Sequence, residues 1–303
     1  MDVVNSHRKF IFTDIDLDGA MSYTLFTWLT GNKKIPYIST RVSDFKKSFQ
    51  GWQKNNNVDK YDQIYILDLD ISQDSIELVD RDNVVIIDHH ESHVANKHKY
   101  KNAKVFISHE SSCCRYIYNL LHKKSEVSLT DNHKHLILLA DDYDSYKLKL
   151  KDSHSLNLLF WNYQGDRVRK FTHDFGDGFF GFTDQQANAI SFHRKKIDQV
   201  ISELDIFSAD LPISNNSYKF VSTFATSCIN DVADHIIKEY NADVGIVVNL
   251  QSNKVSFRKG KEVDLDLSKL ANKLASGGGH KYASGGSVTE TFMNFSRLLK
   301  PHK

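Results

Sequence analysis

The chain has 303 residues, enough for two domains of ordinary size with substantial cores. Lys and Arg total 39 against 38 Asp and Glu, which excludes a protein that coats nucleic acid through a large basic excess but leaves a local basic groove open. Met1 to Phe12 has no long apolar stretch, and no later run is long enough to span a bilayer, so a soluble, cytoplasmic protein without a membrane partner is expected.

Lys9 to Thr13 reads as a first strand and leads into Asp14-Ile15-Asp16-Leu17-Asp18-Gly19. Alternating carboxylates on an extended segment point to one side. Gly19 permits a tight turn, and Ala20 to Leu29 has helical character. Three clustered acids can be ordinary turn chemistry. Their place between an apolar strand and a helix instead suggests a metal role. Ile35 to Thr40 is a second strand, and Gln63 to Leu67 a third that ends on Asp68-Leu69-Asp70. Ser72 is a plausible N-cap for a helix running through Val79.

The strongest signal is Val84-Val85-Ile86-Ile87-Asp88-His89-His90. A β-branched apolar run reads as a strand buried on both faces. It stops on a carboxylate and two imidazoles, at the sheet edge where open α/β sheets place ligands. Mixed imidazole and carboxylate donors favour manganese, iron or zinc over calcium. The alternation of strand and helix up to this point predicts an α/β fold with a doubly wound, mostly parallel sheet.

The Lys- and His-rich stretch after His90 reads as solvated surface, Val105 to Ser108 as a strand, and Ser111 to His122 as a helix whose serines act as caps. Cys113, Cys114 and Cys228 form neither a disulfide framework nor a zinc spacing, so packed thiols are expected. Leu136 to Ala140 runs into Asp141-Asp142-Tyr143-Asp144 and reads as a fourth acidic terminus of the same sheet. Like charges that converge are tolerable when cations neutralise them. The aromatic-rich stretch from Leu156 to Phe182 reads as a helical layer, and Asp184 to Leu204 as a helix leaving the first domain. The expected organisation is 1–185, a linker helix over 186–208, and a smaller α/β domain over 209–303.

In that second domain, strands are expected at Tyr218 to Thr223, Val244 to Leu250 and Lys254 to Arg258, with helices at Ile229 to Tyr240 and Asp266 to Leu274. Gly277-Gly278-Gly279-His280 follows. Successive glycines free the backbone to approach an anion, although a C-cap and linker would also use them. The nearby His280 and Arg258 favour an anion site.

Assembled in order, Asp16-Leu17-Asp18-Gly19, Asp68, Asp88-His89-His90, the Asp141 to Asp144 acids and Gly277-Gly278-Gly279-His280 resemble the DHH phosphoesterase superfamily with its glycine-rich C-terminal domain. The resemblance implies a two-metal site, usually manganese (Mn²⁺), in the N-terminal domain, with the smaller domain across a cleft. Carried over by position, Asp16, Asp18, Asp68, His89 and one of Asp141, Asp142 or Asp144 become ligands, with Asp144 preferred because Asp144-Ser145-Tyr146 matches one family pattern. Many members place a His ahead of the first aspartates. Here Asp14 stands nearest that role, as in the RecJ-type exonucleases. Asp88, His89 and His90 would form the catalytic triplet, with His90 at the scissile phosphate or tuning a ligand. Arg258, Gly278, Gly279 and His280 would bind substrate phosphate. The implied activity is hydrolysis of short single-stranded oligonucleotides to mononucleotides. A RecJ-like single-strand DNA exonuclease, an enzyme acting on small nucleotides such as cyclic dinucleotides, and a silent nucleotide sensor are the alternatives. A homodimer is compatible with all of these.

Overall fold

The computed structural model describes residues 8–302 except 214, 215, 261, 262 and 280. The described chain forms two units, one ending at Ile190 and the other beginning at Ser191.

The first unit opens with β1 (Lys9–Thr13), α1 (Leu17–Thr30), β2 (Tyr37–Ser39), α2 (Phe45–Asn55), β3 (Gln63–Leu67), α3 (Ile76–Val79), β4 (Val84–Asp88), α4 (Glu91–Asn96) and β5 (Lys104–Ile107). It continues through α5 (Cys113–Leu121), α6 (Asp131–Asp144), α7 (Ser153–Asn162), α8 (Arg167–Asp174) and α9 (Asp184–Ser202), the last of which runs on into the second unit. Five parallel strands lie in the order β2-β1-β3-β4-β5. The order reverses between β1 and β3, and this switch point opens a crevice at the carboxyl ends of the strands.

Both faces of the sheet are covered, which is why the strands are apolar throughout rather than alternating. Phe10, Phe12, Ile64, Ile66, Val84 and Ile86 pack on one face against Phe45, Phe49 and Trp52 of α2 and against Ile76 and Val79 of α3. The alternate residues Ile11, Tyr65, Leu67, Val85 and Ile87 are buried on the other. Helix α1 is buried from Leu17 to Leu29, as expected for a helix enclosed on all sides. Its neighbours are α5, α6 and α8. The aromatic stretch forms a helical layer here: Phe160, Phe171, Phe175 and Phe179 are buried, and Trp28 Nε1 donates to the Gly176 carbonyl at 2.8 Å.

Three local expectations need correction. Leu136 to Ala140 is not a strand but lies within α6, so the acids after it arrive on a helix. Apolar residues at 136, 137, 139 and 140 follow a helical stripe, and Thr130 and His133 close a capping box at its start. Ser72 stands at the N-cap of the 3-10 turn that leads into α3 but makes no side-chain cap, because its hydroxyl turns to Asp74 and Ser75. Gly19 sits inside α1 rather than in a turn, and is small because a Cβ there would lie 2.5 Å from the Asp14 carbonyl oxygen.

The second unit contains β6 (Phe207–Ile213), β7 (Asn216–Phe224), α10 (Ile229–Glu239), β8 (Val244–Asn249), β9 (Lys254–Lys259), α11 (Leu267–Ala275), β10 (Gly278–Gly279), β11 (Ala283–Ser287), α12 (Glu290–Ser296) and β12 (Lys300–Pro301). Its seven strands run in the order β10-β11-β9-β8-β7-β6-β12, and β7 pairs with β8 in parallel. One face packs on α11 and α12 through Phe220, Ile246, Phe257, Leu274 and Phe292, the other on α10 through Val221, Val247, Val232 and Ile236. The glycine run is an edge strand rather than a free loop. Gly277 has to be glycine, because a Cβ would fall 1.9 Å from the Gly285 carbonyl oxygen.

Candidate metal centre

Register brings the acidic strand ends together. Thr13 pairs with Leu67, and Leu67 with Ile87, so Asp14 and Asp68 leave the sheet beside Asp88, the last residue of β4. Asp68 takes a left-handed conformation, with φ of 59°, which Asp tolerates better than bulky residues do. The next helices complete the arrangement. Asp16 caps α1, its Oδ1 accepting from Gly19 N at 2.9 Å. Asp18 Oδ2 and Oδ1 accept from Cys113 N at 2.6 Å and Cys114 N at 2.9 Å, so the first amides of α5 seat this carboxylate. Cys113 and Cys114 are buried free thiols, and Ser112 caps α5 by accepting from Arg115 N.

His89 is at the centre. Its Nε2 lies 3.2 Å from Asp68 Oδ1 and 3.8 Å from Asp18 Oδ2, while its Nδ1 lies 3.7 Å from Asp144 Oδ2. Among the described residues, Asp68, His89 and His90 form one donor group and Asp18, His89 and Asp144 another, with the donor atoms of each within 4.8 Å of one another. The two groups share His89. Asp14 and Asp16 belong to neither group, but their charges reach its members and each other.

The three acids of α6 have separate tasks. Asp141 Oδ1 accepts from Ser112 N, and Lys147 Nζ donates to its Oδ2. Asp142 accepts from Lys149 N, Leu150 N and Ser153 Oγ and so folds the segment that follows the helix. Asp144 is the acid that meets His89.

These residues fit a divalent metal. Asp68 is 1% exposed, and its Oδ1 has no hydrogen-bond partner among the described residues, since His89 Nε2 is near but out of alignment. Burial, and then the charge of Asp16, push the Asp14 carboxyl up to about 7. Burial and neighbouring carboxylates raise Asp16, Asp68 and Asp144 in the same direction. Cations remove both penalties at once, and oxygen donors with one imidazole suit a divalent ion.

Asp88 is placed differently from a group that touches substrate. It is fully buried, with Oδ1 2.8 Å from His90 Nδ1 and Oδ2 2.8 Å from His93 Nδ1. Burial alone would raise its carboxyl, but the hydrogen bonds from His90 and His93 outweigh this and hold it well below the usual carboxylate range. Burial pulls His90 down, yet the bond to Asp88 and its charge raise the imidazole to about 9. Asp88 is therefore a positioning residue for His90. His93, fully buried and bonded to Tyr100 Oη at 2.8 Å through Nε2, was not anticipated. The signal was present in the spacing His90-x-x-His93, which brings two imidazoles to one side of a helical turn.

In the second unit, Arg258 lies on β9 between β8 and β11. Its guanidinium donates to Asn230 Oδ1 at 2.6 Å and to the Phe257 carbonyl at 2.9 Å. Gly278 and Gly279 form exposed β10, and a Cβ on Gly278 would meet nothing within 4 Å. His280 lies outside the described residues. Among the described residues, no helix is long and apolar enough to cross a membrane.

Comparison with known families matches residues 8–140 to the DHH family, N-terminal domain, and residues 218–300 to the DHHA1 domain. No curated protein sequence matches the chain. Among solved structures, a pGpG-specific phosphodiesterase from Vibrio cholerae, PggH, aligns with a TM-score of 0.56 at 13% identity, covering 96% of this chain and 96% of that one. An exopolyphosphatase-related protein from Bacteroides fragilis aligns at 0.54 and 15% identity, with 98% and 92% covered. Exonuclease RecJ bound to manganese aligns at 0.54 and 12% identity, with 96% and 88% covered. At these identities the likeness is one of fold.

Proposed function

The chain belongs to the DHH phosphoesterase superfamily, and from that membership we propose a manganese-dependent phosphodiesterase that hydrolyses short single-stranded oligonucleotides to mononucleotides. The observation that carries the metal chemistry is the pair of donor groups sharing His89. Asp18, Asp68, His89 and Asp144, with Asp14 and Asp16 beside them, would hold two divalent ions. Such ions, when bound, lower the pKa of water and neutralise charge developing on a phosphoryl group. Imidazole in the donor set favours manganese over magnesium.

The chain's own residues supply orientation and charge. His90, with Nδ1 tied to Asp88 and its ring beside Asp68 and His89, is placed to meet a phosphoryl oxygen. Arg258, whose guanidinium here donates to Asn230 and Phe257, carries the planar fork suited to a terminal phosphate, and the open face of Gly278 lets a ligand approach the backbone. The overall charge balance supports a short substrate. Long strands are gripped through many phosphate contacts, each releasing counterions, and 39 basic against 38 acidic residues supply no such excess. PggH, named for a dinucleotide substrate, is consistent with this choice. The Asp14-Asp16-Asp18 pattern favours a second reading, a RecJ-like single-strand DNA exonuclease. End-labelled dimers, pentamers and long strands of RNA and DNA, assayed with Mn²⁺, separate the two. Preference for dimers and pentamers is expected, and equal or greater activity on long DNA would reverse the assignment.

A further inference from the structure

We propose that His93, backed by Tyr100, is a positioning residue that fixes the orientation of His90 through Asp88. The proposal rests on the phosphoesterase reading and adds to it a buried chain of side chains on the side of Asp88 away from His90. His93 has two ring nitrogens, and both are engaged: Nδ1 lies 2.8 Å from Asp88 Oδ2 and Nε2 2.8 Å from Tyr100 Oη. The first turn of α4 sets this spacing, because His93 N donates to the His90 carbonyl at 3.1 Å. An ionised carboxylate only accepts hydrogen bonds. Both imidazoles therefore present Nδ1–H to Asp88, and His93 Nε2 is left to accept the Tyr100 O–H. Burial favours this direction by keeping the Tyr100 phenol protonated.

The consequence concerns geometry. A carboxylate bonded through one oxygen swings about its Cβ–Cγ axis, whereas one held through both oxygens does not. With His93 on Oδ2, Oδ1 stays where His90 Nδ1 meets it, and the ring is held beside Asp68 and His89. Outer partners of this kind orient the groups that act at metal sites. Asp70, Asp88 and His93 also lie close enough together to suggest a separate metal site. Their arrangement argues against it, because Asp88 and His93 already spend their facing atoms on one another.

Asparagine places an amide nitrogen where His93 has Nδ1, and glutamine places one near Nε2. H93N therefore keeps the bond to Asp88 and H93Q loses it. With bis(p-nitrophenyl) phosphate and Mn²⁺, H93Q is expected to lose about 10- to 100-fold in kcat at nearly constant KM, the scale of removing an outer partner. H93N should stay within a few-fold of the parent. Y100F, which keeps the ring, should lose about 2- to 10-fold, as for one hydrogen bond. Histidine ¹H–¹⁵N spectra of the full chain in Mg²⁺ give a readout that needs no substrate. The His90 Nδ1–H resonance should be slowly exchanging in the parent and H93N, and broadened in H93Q. Equal kcat in H93N and H93Q, or an unchanged His90 resonance in folded H93Q, would overturn the proposal. If H93Q does not fold, Y100F decides by the same readouts, and parental kcat with a parental His90 resonance overturns it. Because the spectrum does not depend on turnover, an inactive parent would refute the phosphoesterase reading without touching this one.

Discussion

Without divalent ions, the first unit should lose stability as the pH rises from 5 to 8, and metal should reverse the trend. The raised carboxyls bind protons more tightly in the folded than in the unfolded state. Their contribution is fully present below the unfolded pKa and is lost as the pH climbs through the folded one. For Asp14 that window runs from 3.8 to about 7. At about 1.4 kcal/mol per pKa unit the upper bound is about 4 kcal/mol, and partial exposure of Asp14 reduces it to about 2. About two thirds of that window lies above pH 5, and a unit of this size shifts by about 2–4 °C per kcal/mol, so from Asp14 alone EDTA-treated protein should melt about 3–5 °C lower at pH 8 than at pH 5. Asp16, Asp68 and Asp144 act in the same direction. Metal requires deprotonated ligands, so its stabilisation grows with pH and reaches about 2.7 kcal/mol per ion at a hundred times Kd. Calorimetry at pH 5, 6.5 and 8 with EDTA or MnCl₂ measures both effects. Metal-free protein that melts higher at pH 8 than at pH 5, or a metal increment independent of pH, would refute the electrostatic reasoning.

H89A should remove the residue common to both donor groups and lower kcat about 100-fold or more, the scale of losing one preorganised electrostatic group. Isothermal titration should show weakened Mn²⁺ binding in the same variant. D142A and D144A should divide stability from function. D142A loses three hydrogen bonds to a charged acceptor, costing about 2–4 kcal/mol in denaturant melts with Mn²⁺ affinity retained, whereas D144A loses Mn²⁺ affinity and, by removing one of the crowded carboxylates, does not lower the metal-free melt at pH 8. D88N should release His90, whose titration midpoint by NMR should fall from about 9 toward or below the ordinary histidine value. In the second unit G277A should destabilise by about 1–3 kcal/mol through backbone overlap, and G278A should melt like the parent while binding mononucleotide more weakly in calorimetric titration.

Much of this arrangement was legible in the sequence, for definite physical reasons. Buried parallel strands must be apolar along their whole length, so Lys9–Thr13, Gln63–Leu67 and Val84–Asp88 announce themselves, and acids at their ends are conspicuous. The origin of Asp144 was harder to see. A short apolar run before an acid does not separate a strand from a buried helix, and only the capping residues Thr130 and His133 settle it. Among Asp141, Asp142 and Asp144 the choice depended on which amides each carboxylate meets, and those partners come from segments distant in sequence, such as Ser112 for Asp141. Strands β6 and β12, at one end of the second sheet, escaped for the opposite reason: their partly or fully exposed sequences carry no continuous apolar signal. His93 was overlooked because a single histidine beyond a strong motif reads as surface until its burial is known.

The most direct test of the account is anomalous diffraction at the manganese edge from crystals of the chain soaked in Mn²⁺. Two peaks are predicted, within bonding distance of donors from Asp18, Asp68, His89 and Asp144. An empty pocket at full Mn²⁺ occupancy elsewhere, or peaks confined to Asp70 and His93, would contradict it.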